Sequence, residues 1–237
     1  YNKKQVWPLV KTANDVIAIS RAVRDKFEKE FNREIKVVYN GVPIANYQVK
    51  NHEIFINDCC RIILAGRIVH GKGQLDAVKA VQVIVNNGNK AIKLILVGHR
   101  QGQYADQIER YVLENDLSDY VEFQDHNSDL RALRATCDIG LTCSKREAFG
   151  RITVENQMAG LLTIGSDTGG TLELIDHKKT GLLYREGDYE NLATLIDYAL
   201  KNKEKMRLLA HNGYQNAINM FSIVRVVEQV LDIYESL

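Results

Sequence analysis

RIILAGRIVHGKGQLDAVKAVQVIVNNGNKAIKLILVG, residues 61–98, reads as a strand, a glycine-rich loop, a helix and a second strand. Residues 61–65 and 93–97 are short apolar runs, and residues 74–86 carry apolar side chains at helical spacing. Strands that are apolar along their whole length, joined through an amphipathic helix, belong to a parallel sheet covered on both faces. The pattern repeats downstream. Strands are expected at 121–124, 139–142, 162–165 and 182–184, and helices at 104–115, 129–136, 152–159 and 171–175. The expected fold class is therefore α/β, a Rossmann-like doubly wound parallel sheet. The tail is helical at 190–202, roughly 204–219 and 223–236. In the last helix Ile223, Val226, Val227, Val230, Leu231 and Tyr234 form one face, and Ser222 can cap it.

Upstream lies one strand–helix–strand unit at 16–20, 21–31 and 36–39, stopped by Asn40-Gly41. Two strands alone are marginal. Residues 1–45 are thus expected to be the end of an amino-terminal domain, and residues 46–60, polar and without periodicity, a linker. Residues 61–221 form the main domain, and 222–237 a helix returning toward the first. The alternative is that the first two strands extend the edge of the main sheet.

The 237 residues are 45% apolar and 26% charged, with 2 prolines where average usage would give about 12. A disordered or proline-rich chain is excluded. A net charge of +1 gives no field for holding nucleic acid or anionic lipid. No uncharged apolar run approaches the ~18 residues of a membrane span, and residues 1–11 contain no signal-peptide core. Cys59, Cys60, Cys137 and Cys143 form no C-x-x-C pair, which argues against a zinc or thioredoxin-like site and for a reducing, cytoplasmic compartment. Cys137 and Cys143 are expected to pack as small hydrophobes.

In doubly wound sheets ligands bind beyond the carboxyl ends of the strands. The first such loop is Gly66-Arg67-Ile68-Val69-His70-Gly71-Lys72-Gly73. Gly73 stands where a P-loop needs Ser or Thr for magnesium. What remains is a glycine-rich loop with two cations, Arg67 and Lys72, suited to a diphosphate. The second loop runs from Ser144 through Glu147-Ala148-Phe149-Gly150-Arg151 to Glu155. Ala148, Phe149 and Gly150 offer no side-chain oxygen as a helix cap, so the helix N–H groups are open to a ligand. Glu147 and Glu155 suit sugar or ribose hydroxyls, since each carboxylate accepts several hydrogen bonds. The turn Ser166-Asp167-Thr168-Gly169-Gly170-Thr171 can present further N–H groups. The six histidines include no H-x-x-x-H pair and no D-x-D triplet occurs, so no metal site is expected.

These three elements in this order, with Glu173 after the paired glycines, resemble the carboxy-terminal domain of the GT-B glycosyltransferases of family GT4. The Glu147-x7-Glu155 element with its internal Phe-Gly is the specific part. Residues 15–20 and Val37-Val38-Tyr39-Asn40-Gly41-Val42 resemble the end of that family's amino-terminal domain. The resemblance implies a retaining glycosyltransferase whose donor half is present, while the acceptor-binding domain is missing and this portion is inactive alone. It implies catalytic roles for Arg67 and Lys72 on the donor diphosphate and for Glu147 on the transferred sugar. Gly66, Phe149, Gly150, Arg151 and Glu155 would complete the donor site, with Glu155 on the ribose. His99 and Gln124 would contact the base. No cofactor or metal is implied. The partners would be a UDP-, GDP- or ADP-sugar and a glycan or lipid-linked acceptor, with the full enzyme peripheral to the inner membrane face. The competing reading is a nucleotide-sugar-binding module, or a nucleotide-sugar epimerase on the same fold.

Overall fold

Ile62, Ile63, Leu94, Ile95 and Leu96 have no exposed surface, and the two strands that carry them lie side by side at the centre of a six-stranded parallel sheet. The computed structural model describes residues 3–44, 53–99 and 102–237. In chain order the elements are α1 (Lys3–Thr12), β1 (Ile17–Ala18), α2 (Arg21–Phe31), β2 (Lys36–Val37), β3 (Cys60–Ala65), α3 (Gln74–Asn86), β4 (Ile92–Val97), α4 (Gln103–Glu114) and β5 (Val121–Gln124). There follow α5 (Arg131–Arg134), β6 (Ile139–Thr142), α6 (Arg151–Met158), β7 (Leu162–Ser166), α7 (Thr171–Leu174), β8 (Leu182–Tyr184), α8 (Tyr189–Lys201), α9 (Lys203–Phe221) and α10 (Ile223–Glu235).

The strand order is β5-β4-β3-β6-β7-β8, the doubly wound arrangement that the alternating pattern predicts. β3 pairs with β4 over six residues but with β6 over only two, Ile62 with Ile139 and Ile63 with Gly140. Beyond those pairs the two strands part. This is also where the winding reverses, with β4 and β5 built outward on one side and β7 and β8 on the other.

β1 and β2 form a separate parallel pair, so they do not extend the main sheet. Their unit is held by polar contacts at the start of α2. Ser20 caps α2 by accepting from Val23 N, and its hydroxyl donates to the Ala148 carbonyl. Glu173 accepts from Arg21 N at 2.8 Å, Ala22 N at 2.7 Å and the Tyr39 hydroxyl at 3.0 Å. The Tyr39 ring packs on Phe149 and Phe221, with centroids 6.0 and 5.4 Å away. Burial, then the neighbouring Glu173, pushes the Tyr39 phenol above its ordinary pKa.

Residues 46–52 of the expected linker, and residue 45 before it, lie outside the described residues. Its other end is packed: Ile54 and Phe55 are buried, and Arg207 donates to both their carbonyls. Asp138 accepts from the backbone N–H groups of Phe55 and Arg61. Ser222 caps α10 as expected, and Val42 bridges to Ser222. No residue of α10 is buried, and Val224, Val227, Leu231 and Tyr234 are exposed. Among the described residues no helix is long and apolar enough to cross a membrane.

β1 and β2 are shorter than the strands expected at 16–20 and 36–39, and two helices differ from the sequence expectation. α5 has four residues rather than eight, because Asp129 takes the Arg131 N–H and side chain at one end and i−3 bonds from Thr136 and Cys137 tighten the other. α1, unannounced by any pattern, carries Pro8 in its interior, a residue that counts against a helix.

Cys60, Cys137 and Cys143 are buried and Cys59 is exposed; all are free thiols. Burial pushes Cys137 up to about 11 and Cys143 up to about 12, and raises Cys60 well above its ordinary value. The thiolate is the reactive form. Iodoacetamide at pH 8 should therefore label Cys59 in the native protein and the other three only after denaturation, as read by peptide mass spectrometry.

Glu173→Ala removes two caps from α2. It should cost about 1 kcal/mol, and hydrogen exchange should accelerate in α2 more than in the six-stranded sheet.

Candidate functional site

Where β3 and β6 diverge, a cavity of about 270 Å³ opens between Leu64–Ala65 on one side and residues 141–144 on the other. Lys72, Glu147, Arg151 and Ile152 complete its wall. Its place is the crevice at the carboxyl ends of the strands where the strand order reverses. Three of the residues singled out from sequence, Lys72, Glu147 and Arg151, meet there.

The loops that bring them together are stitched through backbone. Gly66 N donates to Val97 O and Gly98 N to Gln124 O, so the sheet ladder continues into the first loop. A Cβ at Gly98 would come within 2.0 Å of the Gly66 carbonyl. The Gln74 amide, at the start of α3, holds the Arg67 carbonyl at 2.8 Å. Gly73, at φ +68°, lies against β6: a Cβ there would meet the Cys143 oxygen at 2.1 Å. Lys145 N donates to Gly71 O at 3.0 Å. The turn His70–Lys72 between these anchors delivers Lys72, while Arg67 points to solvent.

The second loop is fixed by the third. Gly170 N donates to Glu147 O at 2.7 Å. Cβ atoms at Gly169 and Gly170 would each lie 2.4 Å from a carbonyl oxygen, of Glu147 and Phe149 respectively. The Ser166 hydroxyl donates to Ser144 O at 2.7 Å. The turn at 166–171, read from sequence as a source of ligand-facing N–H groups, thus spends the Gly170 N–H on the loop beside it. Phe149 is buried against Tyr39 and Phe221. Gly150, at φ +99°, is the N-cap of α6 and supplies no side-chain cap, as the sequence predicts.

The electrostatics are those of paired charges. Lys72 Nζ lies 2.7 Å from Glu147 Oε2, with side chains 30% and 17% exposed. Glu155 is buried one turn into α6 between two guanidiniums, Arg134 Nη2 on Oε2 at 2.8 Å and Arg151 Nε on Oε1 at 2.9 Å. A cavity wall with two cations and an uncapped helix start suits an anion, and the Glu147 carboxylate in the same wall suits hydroxyl donors; Glu155 lies behind the wall, reached through Arg151.

His99 and Gln124 stand apart from the cavity wall, beyond β4 and β5. The His99 ring stacks on His126 with centroids 4.6 Å apart, and the Gln124 amide bonds Glu122. Among the described residues no group of three or more His, Cys, Asp or Glu could hold a metal ion.

Arg134 is a residue that motif reading missed. A signal was present: it falls four residues after Leu130 and three before Cys137, both buried, which places a charge on the apolar face. Ser20 and Tyr39, which tie the upstream unit to the second loop, carry no local pattern that could have revealed them.

Residues 50–216 match the family described as glycosyl transferases group 1. The chain is 23% identical over 237 residues to the capsular polysaccharide biosynthesis glycosyltransferase CapM of Staphylococcus aureus, covering 94% of this chain and 62% of that protein. It is 29% identical over 210 residues to the N-acetyl-alpha-D-glucosaminyl L-malate synthase of Bacillus anthracis, covering 86% and 54%. The chain thus spans less than two thirds of the length of these relatives. The crystal structure of Anabaena HepE in complex with UDP and glucose superposes with a TM-score of 0.89 at 25% identity, over 99% of this chain and 66% of that one. A cavity at the β3–β6 divergence, walled by a lysine, two first-turn residues of an uncapped helix and a fixed glutamate, sits in a fold shared with GT-B proteins, and the chain belongs to the group 1 glycosyl transferases.

Proposed function

We propose that this chain is the donor-binding half of a retaining glycosyltransferase that moves a sugar from a nucleoside diphosphate to a glycan or lipid-linked acceptor, as in polysaccharide or lipopolysaccharide assembly. The acceptor would bind mainly on a preceding domain, and the enzyme would work in the cytoplasm at the membrane face. The observation that carries this reading is the Lys72–Glu147 pair at the cavity wall, in a family whose solved relatives include a complex with UDP-glucose.

The chemistry follows from the charges. Breaking the bond between sugar and diphosphate leaves negative charge on the leaving group. Lys72 and the start of α6, worth roughly +0.5 charge, stabilise it by fixed electrostatics, and the exposed Arg67 turns in from the first loop to join them on the diphosphate. This assignment lets the reaction run without a divalent metal. Glu147 accepts hydrogen bonds from the sugar hydroxyls, with the backbone of Phe149 and Gly150 beside it, and Glu155 accepts from the ribose. Lys72 and Glu147 neutralise each other as a pair. Arrival of a diphosphate exchanges the partners: the phosphate takes the ammonium, and the released carboxylate turns to the sugar. The base lies near His99 and Gln124.

Calorimetry with UDP, GDP and ADP in EDTA tests the reading. One of the three should bind, and binding that vanishes in EDTA and returns with magnesium refutes the metal-free assignment. Lys72→Ala should weaken that nucleotide by about 1–3 kcal/mol.

Glu147→Gln separates sugar from phosphate. It removes the anion that competes for Lys72, so the free nucleoside diphosphate should bind as well as before or severalfold tighter. The nucleotide sugar should lose roughly tenfold. Parallel titrations of both ligands against wild type and variant measure the two effects, and equal losses for both ligands refute the assignment.

A further inference from the structure

The Arg134 side chain is 2% exposed, at the end of α5. Its Nη2 donates to Glu155 Oε2 at 2.8 Å, and its Nε to Asn156 Oδ1 at 3.1 Å. Both acceptors are on α6. Asn156 is itself seated against β6, where a Cβ at Gly140 would come within 2.4 Å of its side chain. The guanidinium therefore sits in a slot between α6 and the sheet, and these bonds fix both position and plane. Glu155 has a second cation, Arg151, on its other oxygen. The two arginines differ in access: the Arg151 side chain is 65% exposed and belongs to the cavity wall, whereas Arg134 is enclosed.

Burying a guanidinium is costly, and well-packed apolar side chains commonly replace a buried ion pair without loss of stability. Packing alone therefore gives no reason for an arginine here. What it adds is a carboxylate held in one orientation. Each carboxylate oxygen has two acceptor sites, so Glu155 keeps capacity on Oε1 once Arg151 turns aside toward a phosphate, while Oε2 remains held.

We propose that Arg134 is a positioning residue that fixes Glu155 for the ribose hydroxyls of a nucleotide, and so sets the preference for ribonucleotides over 2′-deoxyribonucleotides without touching the ligand. This rests on the donor-site reading above. Arg151 is the exchangeable partner of Glu155 and Arg134 the permanent one.

The test is calorimetry of the chain with UDP and 2′-deoxy-UDP. Wild type should prefer UDP by about tenfold, the order expected for a hydrogen bond to a charged group. Arg134→Met should bring the ratio to twofold or less by weakening UDP while leaving 2′-deoxy-UDP nearly unchanged. Arg134→Lys should recover part of the ratio. In a Glu155→Gln background the ratio is already lost, and Arg134→Met should change it no further, as for two residues acting through one contact. A folded Arg134→Met protein that keeps the tenfold ratio overturns the inference, as does an equal loss for both nucleotides. If the Met variant does not fold, the Lys variant decides, and an unchanged ratio in it overturns the inference. Wild type that binds UDP and 2′-deoxy-UDP equally overturns this inference and leaves the donor reading standing. Wild type that binds none of UDP, GDP and ADP removes both.

Discussion

β3 and β6 are paired through only two residues each, and the site depends on that short pairing. A parallel sheet buried on both faces has no room for polar chemistry along its strands. Polar groups can gather only where neighbouring strands separate and their following chains turn to opposite faces. Here Leu64–Ala65 and Leu141–Thr142 part just beyond the last paired residues, and these four form the floor of the cavity. Gly140 contributes from within: its missing side chain lets Asn156 of α6 approach β6, drawing the start of α6 over the gap.

The side chains at the gap are held by carbonyl and amide contacts rather than by side-chain packing. Gly73 against Cys143 O, Gly170 N on Glu147 O and Ser166 on Ser144 O are each close enough to exclude an intervening atom. A glutamate whose own carbonyl is bonded to the adjacent loop has little backbone freedom left. Its carboxylate can still change partner by rotating its side chain, and Lys72 on its flexible stem can do the same. The site thus combines a rigid backbone with exchangeable charges. A ligand carrying both anionic and hydroxyl groups needs that combination, because preorganised donors lower the cost of stabilising developing charge.

Much of this was legible in the sequence. The strands expected at 121–124, 139–142 and 182–184 coincide with β5, β6 and β8; β6 is buried along its whole length, so its ends fall where solvent begins. The glycine-rich loop and the Glu147–Glu155 element each follow a strand of the central pair, and the structure brings Lys72 and Glu147 from those loops to one cavity wall. Reading failed where the deciding partner is distant in sequence. Glu155 was read as a carboxylate for hydroxyls, but its pairing with Arg134, which comes from α5, 21 residues upstream, was not legible. Two helices were misread for local reasons: Asp129 competes for the backbone at the start of α5, and Pro8 inside α1 counts against a helix. His99 follows β4 and Gln124 ends β5, yet both strands lie on the far side of β3, away from the cavity wall.

The upstream unit shares hydrogen bonds and packing with the loop that carries Glu147. Ser20 bonds the Ala148 carbonyl, Tyr39 packs on Phe149, and Glu173 holds the first N–H groups of α2 together with the Tyr39 hydroxyl. Ala148 and Phe149 directly follow Glu147 in the chain. Gly170 bonds the Glu147 carbonyl three residues before Glu173 takes α2. The start of α2 and the third loop therefore grip residues 147–149 from two sides. A rigid displacement of the β1–α2–β2 unit must either break the Ser20–Ala148 bond or pull the peptide that sets the direction of Glu147. The carboxylate assigned to the sugar is in this way mechanically joined to the unit on which the acceptor would be presented, through two residues of backbone and one hydroxyl.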